Sequence, residues 1–293
     1  MDKNNRDKVL VLLVDYNTSE MVPDVIKSIN EDEVEISILL IDNGSSEKYS
    51  RQLQKIDDSR VHQVRLEKNI GFLGGNNFGL KYALKNMHDF EYVFFLNTDA
   101  FITDNLISGL KKILDTNKNA ACISPKIFSK DGHTWYGGAK LDFKKGRVTS
   151  SIEIDAENPH LFYKVDVFNS CAVLFRTEMF IEAGMLNEDL FMYYDEADCS
   201  LKLRKLGYDI LYTPQFTMLH YVSITSTNTS YTKTYYMTRN KFILFNNTMT
   251  LKAKMYYLAH EFAYHLKHKR IKNAFYHLKG FLDYKKGKFG RLN

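Results

Sequence analysis

The sequence predicts an α/β fold built on a mostly parallel central sheet flanked by helices. Short apolar segments alternate with stretches of helical period over the first hundred residues, which is typical of βα units. Four of these segments are rich in β-branched and other apolar residues. The predicted strands are KVLVLLV, EISILLI, VHQVRL and YVFFL.

The second half of the chain has a mixed pattern of shorter strands and turns. TWYGGAKLDFKKGR is typical of a hairpin, and FNSCAVLFR has the composition of a buried strand. No proline-rich or Gly/Ser-rich linker divides the chain. We therefore expect one main domain over residues 1–228 and C-terminal amphipathic helices over residues 229–293.

The composition excludes a disordered chain and a membrane-spanning one. Of the 293 residues 44% are hydrophobic, which is enough for a full core, and the longest apolar runs are far shorter than the roughly 20 residues that span a bilayer. The three cysteines are widely spaced and predict neither a disulfide framework nor a zinc site, so we expect buried thiols. The short apolar run near the N-terminus is not followed by a cleavage site, which predicts a cytoplasmic protein.

The basic charge is concentrated at the C-terminus. The whole chain carries +5, whereas residues 251–293 contain 11 Lys and Arg against 2 acids. A predicted apolar stripe in this segment could lie on an anionic membrane surface, or it could pack on the main domain or on a second subunit in a homodimer. We expect no nucleic acid, because the tract carries no recognised motif. The stripe consists of Ile271, Ala274, Phe275, Leu278, Phe281 and Leu282.

Polar residues follow the predicted strands, where ligands bind to open parallel sheets. Asp15, Asp42 and Asp99 each lie at such a strand end. A single Asp there is often a turn residue, but three together predict a binding edge. Asn97 and Asp99 place an amide and a carboxylate two residues apart, a weak signal for Mg²⁺ shared with a substrate phosphate.

A glycine-rich segment follows the third predicted strand and leads into a helical stretch. Glycines allow a ligand to approach the backbone closely, and N–H groups at a helix start favour phosphate. The segment matches neither a Walker loop nor a GxGxxG fingerprint, and tight packing alone would also explain it. Its polar and glycine residues are Asn69, Gly71, Gly74, Gly75, Asn76, Asn77 and Gly79.

The second half supplies further candidates for chemistry. Asp195 and Glu196 follow an aromatic run and open a predicted helix, where acids either satisfy the helix dipole or include a general base. His220 follows a predicted strand and could complete a metal site with Asp99 or be structural. Arg239 could pair with phosphate or lie on a helix surface.

Taken in order, these residues resemble glycosyltransferase family 2, and within it the rhamnosyltransferase-like branch of bacterial polysaccharide glycosyltransferases. The resemblance covers roughly residues 8–247. The branch's Asn-x-Gly-Phe-x-Gly-Gly-Asn-Asn segment, matched by residues 69–77, is its most specific element. Two positions depart from the family pattern. Asn97 replaces the first acid of the metal motif, and the later Glu-Asp pair is inverted, so Glu196 stands where the family has its catalytic Asp.

The resemblance implies a GT-A fold and a role for each matched residue. It implies that Glu196, or secondly Asp195, is the catalytic base, and that Asp99 and His220 contact the metal. Ser223 and Ser226 follow His220 in the same family segment. The nucleotide-sugar-binding residues implied by the resemblance are Tyr16, Asn17, Asp42, Asn69, Gly71, Gly74, Gly75, Asn76, Asn77, Asn97 and Arg239.

The activity implied by the resemblance is inverting transfer of a sugar, with rhamnose suggested by the branch. The expected donor is a UDP- or dTDP-sugar held with Mg²⁺ or Mn²⁺, and the acceptor is a hydroxyl of a lipid-linked cell-surface glycan at the inner face of the plasma membrane. The alternative is a nucleotide-sugar-binding protein that has lost transfer, because of Asn97 and the inverted acids. A nucleotidyltransferase is disfavoured, since DYNTSE replaces the glycine-rich loop expected after its first strand.

Overall fold

The computed structural model describes residues 8–30, 33–87, 90–150, 161–221 and 231–292. The expected domain boundary between residues 228 and 229 lies outside these ranges, as do Ser223 and Ser226. The three cysteines are free and buried, as expected. None of the helices in the described ranges is long and apolar enough to cross a membrane.

The N-terminal half consists of alternating strands and helices, as predicted. All four predicted strands are present, and they pair in parallel. The elements are β1 Lys8–Asp15, α1 Val22–Ser28, β2 Glu35–Asp42, α2 Glu47–Leu53, β3 Val61–Arg65, α3 Gly71–Asn86, β4 Tyr92–Leu96, β5 Ala100–Ile102 and α4 Leu106–Thr116.

The second half adds antiparallel strands and the C-terminal helices. The predicted hairpin is met in part: its first strand β7 pairs with β6, and β8 forms the hairpin with β9, which begins at the last residue of the predicted segment. The predicted buried strand is β11. The elements are β6 Ala120–Ser129, β7 Thr134–Tyr136, β8 Ala139–Asp142, β9 Arg147–Ser150, β10 Tyr163–Lys164, β11 Ala172–Arg176, α5 Thr177–Glu182, a 3₁₀ turn Glu188–Leu190, α6 Asp195–Lys205, β12 Asp209–His220, α7 Tyr231–Phe245, α8 Leu251–Lys267 and α9 Ile271–Lys285.

The central sheet has the strand order β10-β12-β6-β11-β4-β1-β2-β3. β11 is antiparallel to both β4 and β6, so the segment that precedes β11 lies at the same sheet edge as the segment that follows β4. β1, β2 and β4 are almost wholly buried, because helices cover both faces of a parallel sheet. The carboxyl ends of β1, β2 and β4 therefore share one accessible edge.

The glycine-rich segment differs from the expected ligand loop. Gly74, Gly75 and Gly79 lie inside α3, which begins at Gly71. A Cβ atom on Gly75 would lie 2.6 Å from Val14 Cγ1, and one on Gly79 would lie 2.5 Å from Leu12 Cδ1. These two glycines therefore allow α3 to pack closely on β1.

The helix α9 has a reversed distribution of polar and apolar residues. Its buried face carries Asn273, Ala274, His277, Gly280 and Asp283. Its exposed face carries large apolar side chains, with Ile271 72% and Phe275 62% exposed. Two of the six predicted stripe residues do pack inward: Ala274 is buried, and Phe281 contacts Phe242 of α7 with ring centroids 4.8 Å apart. The other four are exposed and do not pack on the main domain. The exposed stripe is Ile271, Phe275, Leu278 and Leu282.

Candidate active site

The site begins where parallel strands end. Asp15 and Asp42 are register partners at the ends of β1 and β2, and both side chains are buried. The Thr18 hydroxyl donates to Asp15 Oδ1 at 2.6 Å. Burial, opposed by the Thr18 hydrogen bonds and reinforced by Asp42, raises the pKa of Asp15.

Asp42 retains an oxygen that can accept a hydrogen bond. The Ser45 backbone N–H donates to Asp42 Oδ1 at 2.8 Å. Asp42 Oδ2 lies 3.6 Å from Arg65 Nε and accepts no hydrogen bond in the described part of the chain. Buried polar atoms are normally satisfied, so a ligand hydroxyl or imide N–H at this position would meet an open acceptor.

A network of amides holds the loops that border the site. The Asn43 side chain donates to Gly71 O at 3.0 Å and accepts from the Ile70 backbone N–H at 3.0 Å. Asn69 accepts from the Gly71 N–H at 2.7 Å. Asn17 accepts from the Ser46 N–H at 2.9 Å. The side chains of Asn17 and Asn69 therefore fix the loops, while Tyr16 remains 43% exposed at the rim.

Asp99 and His220 meet at the end of β4. Asp99 Oδ1 lies 3.2 Å from His220 Nε2, and both side chains are largely buried. His220 Nδ1 is buried and has no hydrogen-bond partner among the residues that the structure describes. His220 is the last residue of β12, a single long strand with an irregularity at residues 213–217.

Glu196 and Asp195 open α6 and have different surroundings. The Ser170 hydroxyl donates to Glu196 Oε1 at 3.0 Å, and Glu196 is partly exposed. Asp195 is only 4% exposed, and its Oδ2 accepts no hydrogen bond within the described ranges. Burial, together with the neighbouring Glu196 carboxylate, raises the pKa of Asp195 well above its usual value.

A cavity of 340 Å³ brings five predicted residues together. They come from distant parts of the sequence because the ends of β4 and β12, the start of β11 and the start of α6 meet at one edge. Asp42 lies two strands away, at about 10 Å for a spacing of about 4.8 Å per strand. The five residues are Asn97, Asp99, Asp195, Glu196 and His220.

Three groups of predicted residues are engaged in packing. Gly74 lies inside α3, where a Cβ atom would lie 3.2 Å from Ile70 Cγ1, and the Asn76 side chain donates to Phe72 O at 2.9 Å. Asn77 donates to Leu186 O at 2.8 Å and to Glu188 Oε1 at 2.9 Å. Arg239 is fully buried, not on a helix surface.

The Arg239 guanidinium binds protein oxygens. It donates to the carbonyl oxygens of Gly290 at 2.7 Å and of Asp189 and Leu190 at 2.9 Å each. The next residue, Asn240, donates to Leu190 O, Met192 O and Tyr193 O. This pair therefore holds the segment that leads into Asp195.

The sequence analysis did not single out several residues of the cavity. Among them, Ser170, Trp135 and Lys233 contribute polar or aromatic side chains to its wall. Ser170 lies inside the predicted strand FNSCAVLFR, whereas β11 begins at Ala172, and the relevance of Ser170 depends on that strand being antiparallel to β4. Trp135 contacts the His220 ring edge to face with centroids 5.3 Å apart, and only its being the single Trp could have marked it.

In the described ranges, no group of three His, Cys, Asp or Glu side chains could hold a metal ion by itself. Asp99 and His220 would supply at most two ligands. Mg²⁺ is commonly bound by one or two carboxylates with water and substrate phosphate completing its shell. The pair fits a cation that arrives with a diphosphate.

The family model for glycosyl transferase family 2 matches residues 11–184. The chain belongs to this family. Three relatives support the rhamnosyltransferase-like branch. The low-salt glycan biosynthesis hexosyltransferase Agl10 of Haloferax volcanii is 27% identical, covering 82% of this chain and 76% of that protein. The dTDP-rhamnosyl transferase RfbF of Shigella flexneri is 25% identical, covering 71% of this chain and 70% of that protein. The rhamnosyltransferase WbbL of Escherichia coli K12 is 22% identical, covering 73% of this chain and 83% of that protein.

Solved structures confirm the GT-A fold. GalNAc-T7 in complex with UDP, GalNAc and Mn²⁺ aligns with a TM-score of 0.64 at 16% identity, over 81% of this chain and 48% of that one. The mannosyltransferase PcManGT of Pyrobaculum calidifontis, in complex with GDP-Man and Mn²⁺, aligns with a TM-score of 0.57 at 12% identity. The alignment covers 97% of this chain and 88% of that one. This family 2 glycosyltransferase thus spans about half the length of the first of these structures.

Proposed function

We propose that this glycosyltransferase transfers a sugar, with rhamnose as the first donor to test, from a UDP- or dTDP-sugar to a glycan hydroxyl with inversion. One observation carries the proposal: the Asp99–His220 pair and Glu196 line the same cavity at the carboxyl edge of the sheet. A diphosphate-binding pair on one side and a base on the other is the arrangement that a single displacement requires. The named activity of RfbF supports dTDP-rhamnose as donor.

The donor's nucleoside would lie along the ends of β1 and β2. Asp42 Oδ2 is an open, buried acceptor suited to a ribose hydroxyl or a pyrimidine imide N–H. Asp15 would shape the same rim, and the exposed Tyr16 ring offers a face on which a base can stack. Asn17, Asn69 and Gly71 would act by holding the loops in place.

Asp99 and His220 would hold Mg²⁺ or Mn²⁺ against the donor diphosphate, next to Asn97. When bound, the cation would neutralise charge on the departing nucleoside diphosphate. His220 is held in place by Trp135 and by its position in β12. Its Nε2 faces Asp99 at 3.2 Å, and its Nδ1 is buried without a hydrogen-bond partner among the residues described.

Glu196 would accept the proton of the attacking hydroxyl. Ser170 donates to Glu196 Oε1 at 3.0 Å, and the partly exposed Glu196 side chain lines the cavity. Asp195 is less suited, because burial favours its protonated form. The inverted order of the two acids relative to the family pattern thus places a partly exposed, oriented carboxylate at the cavity.

The substitution Glu196→Gln tests this assignment and also the alternative of a binding protein without activity. We expect the donor hydrolysis and transfer rates to fall about 10²- to 10⁴-fold, because general-base catalysis is lost. The Kd of the nucleoside diphosphate should stay within about threefold, since Glu196 lies beyond the diphosphate. Radiolabelled dTDP-rhamnose and a panel of UDP-sugars give both quantities.

Glu178→Gln is the matched control, because Glu178 is exposed on α5 away from the cavity. Its rates should equal those of the wild type. Full turnover by Glu196→Gln would disprove the base assignment. Nucleotide binding by a wild type that turns over none of the donors would favour the alternative of a binding protein.

We further propose that the exposed stripe of α9 attaches the enzyme to an anionic membrane surface, where a lipid-linked acceptor would be presented. The stripe is flanked by exposed lysines Lys272, Lys285 and Lys286. Apolar side chains beside cations are the features of a helix that lies in a membrane interface. The enzyme would then be cytoplasmic and peripheral.

Co-sedimentation with phosphatidylglycerol vesicles tests the membrane proposal. We expect binding that weakens with salt and is absent for phosphatidylcholine vesicles. It should fall at least about tenfold in Phe275→Glu, because a charge replaces an exposed ring that would enter the membrane interface. Leu206→Glu, an exposed Leu at the end of α6, is the control. Unchanged binding of Phe275→Glu would contradict the proposal, and a dimer that only this variant dissociates would identify the stripe as a subunit interface.

A further inference from the structure

A second, larger cavity of 800 Å³ adjoins the site on the side away from the nucleotide. Trp135, Tyr193, Asp195, Glu196 and Lys233 line both cavities, so Glu196 stands at their junction. The walls come from the β8–β9 hairpin and from all three C-terminal helices. A hydroxyl that enters from this side would reach Glu196 opposite the donor.

The wall of this cavity contains a buried ammonium group with no counter-ion. Lys241 is 6% exposed, and no carboxylate lies within ion-pair distance of its Nζ in the described part of the chain. Its contact is the face of the Tyr257 ring, with Nζ 4.3 Å from the centroid. Burial lowers the pKa of Lys241 to about 8, which still leaves the group mostly protonated at pH 7.

Three neighbouring charges act on Lys241 without pairing with it in the described part of the chain. Glu261 and Asp142 favour its charged form, whereas Arg147 opposes it, and Asp142 is paired with Arg147 at 3.6 Å. The cavity is lined by the cations Arg147, Lys233, Lys241 and Arg270 and by the acids Asp195, Glu196 and Glu261. Burying an unpaired charge costs free energy, so a charge retained in a cavity wall indicates an anion that binds there.

Aromatic side chains form much of the rest of the wall. Trp135 is 44% exposed, and Tyr193, Tyr257 and Tyr264 present ring surface to the cavity. Aromatic faces with a few polar groups are typical of small-molecule sites. The wall is therefore suited to a sugar ring that carries an anionic substituent.

We propose that this cavity binds the acceptor and that Lys241, with Arg147, recognises an anionic group on it, either a sugar carboxylate or a phosphate. The inference rests on the proposed function, because it takes Glu196 as the base that faces the acceptor hydroxyl. A phosphate would come from a lipid-linked sugar diphosphate, and a carboxylate from an acidic sugar in the glycan.

Isothermal titration calorimetry with three phenyl compounds tests the inference on the full chain saturated with dTDP or UDP. Phenyl β-glucuronide and phenyl phosphate are the anionic probes, and phenyl β-glucoside is the neutral counterpart. We expect at least one anionic probe to bind about tenfold more tightly than the glucoside. In Lys241→Met this preference should disappear, because the cation is lost, and in Lys241→Arg it should persist. The anionic probe that binds better identifies carboxylate or phosphate.

Lys252→Met is the matched control, because Lys252 is exposed on α8 and lines neither cavity. It should keep the preference. Equal affinity of the wild type for the glucuronide, the phosphate and the glucoside would overturn the inference, and this result does not depend on the folding of any variant. Failure of dTDP and UDP to bind would instead contradict the proposed function, so the two failures are distinguishable.

Discussion

At the scale of single residues, the degree of burial of each side chain distinguishes two adjacent acids. Asp195 and Glu196 are adjacent in sequence, yet the first is buried and the second faces the cavity with a Ser170 hydroxyl on one oxygen. Burial disfavours the charged carboxylate of Asp195, whereas Glu196 is partly exposed at the cavity. Side-chain identity alone would not distinguish the two acids.

The raised pKa of Asp195 predicts a pH-dependent effect of Asp195→Asn on stability. A carboxyl with a raised pKa in the folded state stabilises the fold below its unfolded pKa of about 3.9 and loses that contribution as pH rises. The neutral Asn variant should therefore gain stability relative to wild type as pH increases above about 4, by ~1.4 kcal/mol for each pKa unit of elevation. Thermal melts at pH 4 and pH 8 measure the difference.

Asp198→Asn serves as the control, because Asp198 is paired with Lys202 at 2.8 Å. Loss of that ion pair should not stabilise the protein at pH 8. A melting temperature of Asp195→Asn that lies below the wild-type value by a larger margin at pH 8 than at pH 4 would show that Asp195 is charged in the fold.

At the scale of elements, α7 acts as a support for the start of α6. Phe191, Tyr193 and Tyr194 have φ values of 62°, 64° and 65°, in the left-handed region that costs free energy for aromatic residues. Asn240 holds this segment with hydrogen bonds of 3.0, 2.8 and 3.0 Å to three carbonyl oxygens. The strained segment places Asp195 and Glu196 at the cavity.

The substitution Asn240→Asp should release this segment, because a carboxylate replaces the donating amide opposite three carbonyl oxygens. We expect the free energy of unfolding to fall by about 1–3 kcal/mol and kcat for donor hydrolysis to fall about tenfold or more, with little change in nucleotide Kd. Urea unfolding and steady-state kinetics measure both. Asn247→Asp, exposed after α7, is the control; a wild-type kcat in Asn240→Asp would contradict the positioning role.

At the scale of the whole molecule, α8 and α9 form an outer layer that is attached to α7 by polar as well as aromatic contacts. His277 Nδ1 lies 2.8 Å from Thr238 Oγ1, Tyr235 donates to Asp283 at 3.0 Å, and a Cβ on Gly280 would lie 2.6 Å from Tyr235 O. The Phe242 ring contacts Phe281 with centroids 4.8 Å apart. Buried polar groups and a close backbone approach thus accompany the aromatic contacts, and the larger apolar side chains on the other side of α9 stay exposed.

This attachment should weaken in acid because of His277. Burial lowers its pKa to about 4 from 6.5, so the folded state excludes a proton that the unfolded chain accepts. The stabilisation is present above pH 6.5 and is lost as pH falls towards 4, by at most about 3 kcal/mol for a shift of about 2.5 units. His277→Gln should be less sensitive over this range than wild type.

Urea unfolding at pH 7 and pH 4.5 measures the difference, with His62→Gln as the control because His62 is exposed on β3. The control should keep the wild-type sensitivity to acid. An equal loss of stability in His277→Gln and in wild type would exclude His277 as the cause.

The sequence by itself determined the strands of the parallel half, the hairpin, the buried strand β11 and the family. These features depend on local composition and on contiguous motifs, which can be recognised in short stretches of the sequence without knowledge of the fold. The strand-end position of Asp42 and Asp99 also followed from the sequence, because parallel strands bring their carboxyl ends to one edge. The lysine-rich end was likewise evident from charge alone.

Only the tertiary structure decided which residues of the second half meet that edge. The antiparallel direction of β11 brings Ser170 to Glu196, and the packing of α7 buries Arg239 and Asn240 under the start of α6. Helical period could not say which face of α9 turns inward, since close backbone approach and buried hydrogen bonds selected the polar face over the apolar one. Which residues meet at the site, and which face of a helix is buried, depend on contacts between segments that are distant in the sequence. A local sequence pattern does not report the free energies of those contacts.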